Sequence, residues 1–466
     1  MLGRTRRIHF VGIGGIGMSG IAELLVNLGY DVSGSDARTS EVTDRLATFG
    51  VRVSRGHAAE HVGRADVVVV SSAIDAANPE VQEARRRRIP VIPRAEMLAE
   101  LMRLRYGIAI AGAHGKTTTT SMVALVLERA GLDPTAVIGG RLSAFGSNAR
   151  LGRGDYMVAE ADESDRSFLK LSPSIAVITN IDREHMESYG TWEALQQAFL
   201  EFANKVPFYG AVIACLDDGP LRALVPQMTR RIITYGLGGG AQLAGHDAAL
   251  RAFGSTCRVV QTVDGVQTEL GTLTLQVPGR HNMLNALAAV AAGLETGVRF
   301  PHIASALAQF AGAERRFQRR GEAHGVLVVD DYGHHPTEIA AVLAAARAGL
   351  DRRVVVVFQP HRYSRTRDLL DAFGDALAGA DEIVLTDIYG AGEAPLPGVT
   401  IEAVAACVRR TGRPVHVVKP LDDVPAAVAA RVRPNDLVIT LGAGSIGTLP
   451  DRILDAIRAG GGGPKR

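Results

Sequence analysis

The chain has 466 residues, more than one hydrophobic core usually serves, so we expect two to three domains. A formal net charge of +2 and an aromatic content of 5% exclude an extended nucleic-acid-binding surface. The three cysteines are widely separated and lack metal-ligand spacing, which predicts reduced thiols in the cytoplasm. No apolar run approaches the roughly 20 residues of a membrane span, so we expect no membrane insertion.

The first segment alternates short β-branched runs with amphipathic stretches. A strand at IHFVGIG, a helix over residues 18–28 and a strand at DVSGSD predict a βαβ unit. Further strands are predicted at residues 67–71 and 90–92. Together they predict a parallel α/β domain that ends near residue 106.

The glycine-rich turn of that unit predicts a diphosphate site. Gly12, Gly14 and Gly17 form the pattern G-x-G-x-x-G between a strand and a helix, and Asp36 lies 19 residues past Gly17. In such turns a helix N-terminus holds a pyrophosphate and an acidic side chain holds ribose hydroxyls. The pattern leaves open whether the ligand is a dinucleotide or a nucleotide-linked substrate.

The segment AGAHGKTTTT, residues 111–120, follows a predicted strand over residues 106–111 and precedes a predicted helix over residues 116–130. Gly112 and Gly115 let backbone N–H groups approach phosphate, Lys116 reaches the β and γ phosphates, and the Thr117 hydroxyl takes a magnesium ion. The spacing between the two glycines is two residues shorter than in the common phosphate loop, G-x-x-x-x-G-K-[ST]. The chain is therefore predicted to use ATP.

Acidic side chains follow two strands of the central region, which are predicted at residues 156–160 and 175–179. One group is Glu160, Asp162, Glu163 and Asp165, and the next contains Asn180, Asp182, Glu184 and His185. Oxygen-rich groups at strand exits indicate a cation site, where residue chemistry alone favours His185 as a base or hydrogen-bonding group. Alternating residues around Asp264 and Gly265 predict an antiparallel hairpin.

The last region repeats the α/β pattern, with polar groups at its strand ends. Arg316, in ERRFQ, is either a cation for phosphoryl transfer or a structural salt-bridge partner. His334 and His335 precede Pro336, which predicts a helix start. QPHRYSRTRD carries three arginines suited to carboxylate binding, or else forms a solvated basic loop.

These motifs together resemble the Mur ligases of bacterial cell-wall synthesis over nearly the whole chain. The most specific segments are HFVGIGGIGMSGIAE, AGAHGKTTT, EADESDRSF, TNIDREHMESYG, PGRHNMLNA, RRFQ, VDDYGHHPTE and QPHRYSRTRD. The resemblance implies an α/β protein of three domains. They are a Rossmann-like UDP-sugar-binding domain (1–106), a P-loop ATPase-like domain (107–312) and a Rossmann-like amino-acid-binding domain (313–466).

The resemblance also implies a role for individual residues. The UDP sugar would contact Gly14, Gly15, Ile16, Gly17, Ser19, Asp36, Ser71 and Ser72. ATP would contact Gly112, Ala113, His114, Gly115, Lys116, Thr117, Thr118, His281, Asn282, Arg316 and Asp331. Magnesium would bind Thr117, Glu160 and His185, and the amino acid would bind His334, Arg362 and Arg365. Lys116, His185 and Arg316 would be catalytic.

The implied activity is ATP-dependent ligation of L-alanine to UDP-N-acetylmuramate through an acyl phosphate, by a monomer or homodimer in peptidoglycan synthesis. Three alternatives remain at this stage. A recycled tripeptide could replace alanine as the acceptor. An NAD-dependent dehydrogenase would explain GIGGIG and Asp36 but not AGAHGKTTTT. A non-catalytic ATP-binding switch would have no reason to carry a second diphosphate loop.

Overall fold

The computed structural model describes residues 3–71, 73–138, 149–251 and 253–460. Two compact units make up the chain. The first contains Met1–Ala248, Cys257–Thr274 and Leu284–Phe310, and the second contains Ala249–Thr256, Leu275–Met283 and Ala311–Arg466. Within the described ranges, every helix is too short or too polar to cross a membrane.

The first unit begins with a five-stranded parallel sheet of order β3-β2-β1-β4-β5. Its strands are β1 (Arg7–Val11), β2 (Asp31–Asp36), β3 (Arg52–Arg55), β4 (Val67–Val70) and β5 (Val91–Pro93). Its helices are α1 (Ile16–Asn27), α2 (Glu41–Thr48), α3 (Pro79–Arg86) and α4 (Arg94–Met102). The predicted βαβ unit is confirmed, although α1 begins two residues early because Gly15 takes the extended N-cap conformation. Strand order reverses between β1 and β4, where ligands bind in open sheets.

A second sheet has ten strands in the order β15-β14-β13-β12-β11-β10-β6-β9-β7-β8. Its strands are β6 (Tyr106–Ala111), β7 (Thr135–Val137), β8 (Ala149–Arg150), β9 (Tyr156–Glu160), β10 (Ile175–Ile178), β11 (Ala211–Cys215), β12 (Ile232–Gly236), β13 (Leu243–Arg251), β14 (Gly254–Val263) and β15 (Val266–Leu275). The helices are α5 (Lys116–Arg129), α6 (Met186–Tyr189), α7 (Trp192–Asn204), α8 (Gly219–Leu224), α9 (Arg280–Glu295) and α10 (Phe300–Leu307).

Two features of this sheet confirm predictions from the sequence. Strand β6 has the predicted bounds and lies between the parallel strands β9 and β10, so its phosphate loop opens at the carboxyl edge beside theirs. Strands β14 and β15 form the predicted hairpin. Asp264 and Gly265 connect them with φ of 50° and 79°, the positive values that a two-residue hairpin turn of type I′ requires.

The second unit is built on a six-stranded sheet of order β16-β17-β21-β18-β19-β20, in which only β16 is antiparallel to its neighbour. Its strands are β16 (Gln318–Ala323), β17 (Val326–Asp331), β18 (Arg353–Phe358), β19 (Glu382–Leu385), β20 (Val415–Val417) and β21 (Asp436–Leu441). Its helices are α11 (Pro336–Gly349), α12 (Tyr363–Asp368), α13 (Leu370–Leu377), α14 (Ile401–Arg410), α15 (Val424–Ala429) and α16 (Leu449–Gly460).

Alternate residues of these β-branched strands face two hydrophobic clusters, one containing Val356 and Phe358 and the other Val355 and Val357. The three sheets give the predicted α/β class.

Candidate active site

The glycine-rich turn after β1 is held in place by β2. The backbone N–H groups of Gly12 and Ile13 donate to the Ser35 carbonyl at 2.9 and 3.0 Å. The N–H of Gly14 donates to Asp36 Oδ2 at 2.8 Å, and a Cβ on Gly14 would lie 2.9 Å from that oxygen. Asp36 is thus bonded to the turn itself here, and its predicted contact with ribose stays a prediction.

Part of the predicted UDP-sugar set lines a cavity of about 360 Å³ within the first unit. Gly15, Gly17 and Ser71 contribute from the first domain. The cavity is also lined by Met18, Arg94, Leu98, Lys116, Val137, Ile138, Glu160 and Asp162. Ser19 is buried in α1, Ile16 begins that helix, and Ser72 lies outside the described residues. Residues of the diphosphate turn and of the phosphate loop therefore line one cavity.

The phosphate loop depends on backbone conformations that favour glycine. Gly112 has a φ of 135°, and a Cβ there would collide with Thr179 Oγ1. Gly115, the N-cap of α5, has a φ of 82°, and a Cβ there would lie 2.5 Å from Asn285 Oδ1. Both positions therefore require glycine in this structure, because another residue would be strained and would collide with its neighbour.

Side chains after β10 fasten the middle of the loop. Asn180 Oδ1 accepts the N–H of His114 at 2.8 Å, and Asn180 Nδ2 donates to the His114 carbonyl at 2.9 Å. His114 Nε2 lies 2.9 Å from Asp182 Oδ2. The predicted ATP residues Thr117 and Thr118 begin α5, where Thr118 is buried and Thr117 is partly exposed.

Lys116 lies folded against its own loop. Its ammonium group donates to the carbonyls of Gly112 at 2.6 Å and Ala113 at 3.1 Å, and to Glu163 Oε1 at 2.8 Å. Burial lowers the pKa of Lys116, but the charges of Glu163 and Asp162 outweigh that effect and raise it. Burial raises the pKa of Glu163 to about 7 against the opposing charge of Lys116. The loop therefore holds a protonated lysine whose ammonium group is paired with a buried carboxyl group.

Acidic side chains and one histidine form a compact donor group beside the loop. Donor atoms of Glu163, Glu184 and His185 all lie within 4.8 Å of one another. His185 has a φ of 55° and is the N-cap of α6. Glu160 ends β9 and lines the cavity with Lys116, but is not part of this group. Two carboxylates suit a hard divalent cation, and the ligand role of His185 stays a prediction.

In the second unit, Arg316, whose side chain is 26% exposed, interacts electrostatically with the buried Asp331. Asp331 accepts the N–H groups of Phe317 and Gly333, both at 2.7 Å. Burial raises the pKa of Asp331 to about 6, while Arg316 opposes the shift. Arg316 Nη1 lies 3.4 Å from Glu338 Oε1. Arg316 is therefore surrounded by acidic groups.

The neighbouring Arg315 forms a separate ion pair with a buried carboxylate. Its Nε lies 2.8 Å from the buried Asp330, and its Nη2 donates to the Gly442 carbonyl at 2.7 Å. Arg315 and Phe317 have positive φ values of 55° and 47°. These contacts of Arg315 stabilise the turn that contains Arg316.

The two predicted adenine residues differ in environment. Burial, together with the charge of Arg316, lowers the pKa of His281 to about 4, so its ring is neutral at pH 7. Asn282 is buried, and its Nδ2 donates to the Pro278 carbonyl at 2.7 Å, four residues before it. The structure therefore gives Asn282 a local backbone partner.

The predicted amino-acid residues converge around His361. The rings of His334 and His361 lie 5.5 Å apart, and Arg365 Nη1 lies 3.2 Å from His361 Nδ1. Arg362 lies 3.9 Å from Glu393 and has a φ of 72°. Burial, followed by the charges around it, lowers the pKa of His361 to about 3. The helix start predicted at Pro336 is confirmed, and His335 is the N-cap of α11.

Four residues gain a position that sequence reasoning did not assign to them. Asn180 fastens the phosphate loop, Glu163 pairs with Lys116, Asn285 adjoins Gly115, and Arg94 lines the cavity. The first three belong to recognisable polar motifs, although only their spatial partners reveal their roles. Arg94 had no local signal beyond its place after a strand and a proline.

Models of three successive parts of one family match the chain. "Mur ligase family, catalytic domain" matches residues 7–106, "Mur ligase middle domain" matches residues 110–293, and "Mur ligase, glutamate ligase domain" matches residues 315–444. The three matches follow one another in the order of the three sheets.

Known proteins with similar sequences cover almost the whole chain. A UDP-N-acetylmuramate–L-alanine ligase of Anaeromyxobacter sp. (strain Fw109-5) is 55% identical over 463 residues, 98% of this chain and 99% of that protein. The ligase of the same name from Geotalea daltonii is 55% identical over 459 residues, with 98% and 99% covered.

Solved structures show the same similarity. A UDP-N-acetylmuramate–alanine ligase from Thermotoga maritima has a TM-score of 0.81 at 30% identity, covering 97% of this chain and 99% of that one. A murein peptide ligase from Psychrobacter arcticus has a TM-score of 0.71 at 25% identity, with the same coverage.

Proposed function

The chain belongs to the Mur ligase family, and we propose that it joins L-alanine to UDP-N-acetylmuramate with ATP, forming ADP and phosphate in peptidoglycan precursor synthesis. The observation that carries this function is a single cavity lined both by Gly15 and Gly17 of the diphosphate turn and by Lys116 of the phosphate loop. A dehydrogenase would have no use for the second loop. Alanine, rather than a peptide, is supported by the relatives at 55% identity.

In the proposed reaction, the lactyl carboxylate of the UDP sugar attacks the γ-phosphorus of ATP, which gives an acyl phosphate and ADP. The alanine amine then attacks the acyl carbon, and phosphate leaves as the amide forms. The first step brings two anions together, so the protein must screen their repulsion and hold them in line.

Lys116 is suited to the first step. Its ammonium group is buried and remains protonated, because Glu163 and Asp162 raise its pKa. It now donates to two loop carbonyls, which a γ-phosphate can replace with a stronger charge-assisted contact. We assign Lys116 the γ-phosphate and Arg316 the stabilisation of the transferring group.

Magnesium, when bound, supplies positive charge that neutralises phosphate oxygens. We propose Thr117, Glu160 and His185 as its ligands. The compact group of Glu163, Glu184 and His185 supports a cation here, because carboxylate oxygens are the ligands that magnesium prefers. These assignments rest on donor chemistry and on resemblance.

In the second unit we assign His281, Asn282 and Asp331 to the nucleotide and His334, Arg362 and Arg365 to L-alanine. The neutral ring of His281 suits contact with the adenine base of ATP, because an uncharged imidazole can both stack on the base and accept a hydrogen bond from it. Arginine pairs bind carboxylates through two parallel N–H bonds, which suits the carboxylate of an amino acid.

We further propose that the protein acts in the cytoplasm, as a monomer or homodimer, with domains at residues 1–106, 107–312 and 313–466. All three cysteines are free and buried, as expected in a reducing compartment.

Phosphate release from ATP tests the function directly. The purified protein receives magnesium, ATP and UDP-N-acetylmuramate, with L-alanine, with L-alanyl-γ-D-glutamyl-meso-diaminopimelate, or with neither. We expect release that depends on L-alanine and matches the amide product mole for mole. Release that depends only on the tripeptide would replace the proposed acceptor, and release in neither case would refute the ligase function.

A further inference from the structure

We propose that Arg94 binds the diphosphate of the UDP sugar and leaves an ion pair with Asp162 when it does so. This inference rests on the proposed function and deepens it. Arg94 begins α4 directly after β5, and its side chain lines the cavity that also contains Gly15, Gly17 and Lys116.

Arg94 lies against the first turn of α1. A Cβ on Gly17 would lie 2.8 Å from Arg94 Nη1 and 3.2 Å from Cζ, so glycine leaves the space in which the guanidinium sits. The first N–H groups of a helix have no acceptor within the helix and attract anions. An anion bound at this end of α1 would therefore lie beside the guanidinium group, with donors on both sides.

The present partner of Arg94 is weak enough to be exchanged. Arg94 Nη2 lies 3.5 Å from Asp162 Oδ2, and the two side chains are 25% and 41% exposed. Ion pairs of such length and exposure contribute little to stability. A diphosphate carries more charge and offers paired oxygens that match the planar fork of arginine, so it competes well for Arg94.

Asp162 does not lose all compensation when Arg94 leaves. Burial raises the pKa of Asp162, but three other effects lower it: the charge of Lys116, a hydrogen bond from Ser164, and the charge of Arg94. Lys116 therefore remains as a positive neighbour of Asp162 after the exchange. Asp162 thus interacts electrostatically with two cations, Arg94 at the start of α4, proposed for the UDP sugar, and Lys116 of the phosphate loop, proposed for ATP.

The diphosphate is favoured over the lactyl carboxylate as the partner of Arg94. The guanidinium is in contact distance of the α1 turn, where the diphosphate is expected, whereas the carboxylate must approach the γ-phosphate at Lys116. The two ligand groups can be separated experimentally, because UDP-N-acetylglucosamine carries the diphosphate and lacks the lactyl carboxylate.

Calorimetric titration of UDP-N-acetylmuramate without ATP tests the assignment. We expect R94Q to bind about 10- to 100-fold more weakly than the wild type, and R94K to recover part of the loss because it keeps the charge but not the fork. R103Q is the matched control, since Arg103 follows the same helix and pairs with Glu100 outside the cavity. It should bind within twofold of the wild type.

Kinetics separate binding from folding effects. R94Q should raise KM for UDP-N-acetylmuramate and leave KM for ATP within about twofold, which a general loss of folded enzyme would not do. D162N should bind the UDP sugar as well as the wild type or better, because it removes the competitor. In R94Q, the inhibition constant of UDP-N-acetylglucosamine should rise over the wild-type value by the same factor as the dissociation constant of UDP-N-acetylmuramate.

Each remaining outcome overturns a defined claim. If the wild type neither binds nor ligates UDP-N-acetylmuramate, the proposed function and this inference fall together. If the wild type binds and R94Q stays within twofold of it, only the Arg94 assignment is refuted. If R94Q loses affinity for UDP-N-acetylmuramate but not for UDP-N-acetylglucosamine, the diphosphate is the wrong partner.

Discussion

Replacing Glu80 by glutamine removes the charge at the centre of a buried network in the first domain. The carboxylate is fully buried and accepts from Ser35 Oγ at 2.6 Å and from the Ala58 N–H at 3.2 Å. It also lies 2.9 Å from His61 Nδ1 and 3.3 Å from His9 Nε2. Glutamine would offer an N–H where a donor already points, so we expect the network to break.

The magnitude follows from the pKa of Glu80. Burial raises it, but hydrogen bonds from His9, Ser35 and His61 outweigh burial and lower it from 4.5 to about 2. At about 1.4 kcal/mol for each pH unit between the unfolded and folded pKa, the ionised group stabilises the domain by about 3 kcal/mol. A lowered folded-state pKa means that this stabilisation is present above pH 4.5 and is lost as the pH falls through about 2.

Hydrogen exchange measured by mass spectrometry reports this local stability. In peptides covering residues 52–90, E80Q should exchange about a hundredfold faster than the wild type at pH 7, and the gap should narrow below pH 4.5. E83Q is the matched control on the same helix, since Glu83 pairs with Arg86 at the surface. Exchange in E80Q within threefold of the wild type, or an equal gap at pH 7 and pH 3.5, would refute the reasoning.

Three further changes test the site. Lys116→Met should lower kcat for ADP formation by about 10²- to 10³-fold, because methionine cannot supply the positive charge that the ammonium group brings to the γ-phosphate. A loss below tenfold would contradict this assignment of Lys116. Gly115→Ala should raise KM for ATP at least tenfold, because the new Cβ would collide with Asn285. Gly131→Ala is the control, since Gly131 has a φ of 80° and nothing within 4 Å, and it should leave KM for ATP unchanged. Equal effects of the two substitutions would refute a role for the contact with Asn285. Arg365→Ala should raise KM for L-alanine by tenfold or more and leave KM for ATP unchanged. Arg367→Ala is the control and should change neither KM, because the Arg367 side chain is exposed and paired with Asp368. A rise in both KM values for Arg365→Ala would contradict an amino-acid pocket at Arg365.

The sequence alone predicted those features in which neighbouring residues determine the conformation. The phosphate loop, the diphosphate turn and the Asp264–Gly265 hairpin each need a positive φ at glycine or its neighbour, and their motifs span few residues. Strand β6 was predicted with its observed bounds because a short apolar run ends at such a turn. The resemblance of ordered motifs then supplied the family, which the comparisons confirm.

Only the tertiary structure decided which side chains meet. Asn285 adjoins Gly115 across 170 positions, and Glu80 meets His9 across 71. The sequence also left open whether Arg316 serves phosphoryl transfer or forms a structural salt bridge. The structure places it 3.4 Å from Glu338, and it pairs the neighbouring Arg315 with the buried Asp330. Electrostatic interactions decay with distance in space and with solvent exposure. The pKa of Glu163 and the ion pair between Arg94 and Asp162 therefore depend on packing between segments, which no local pattern encodes.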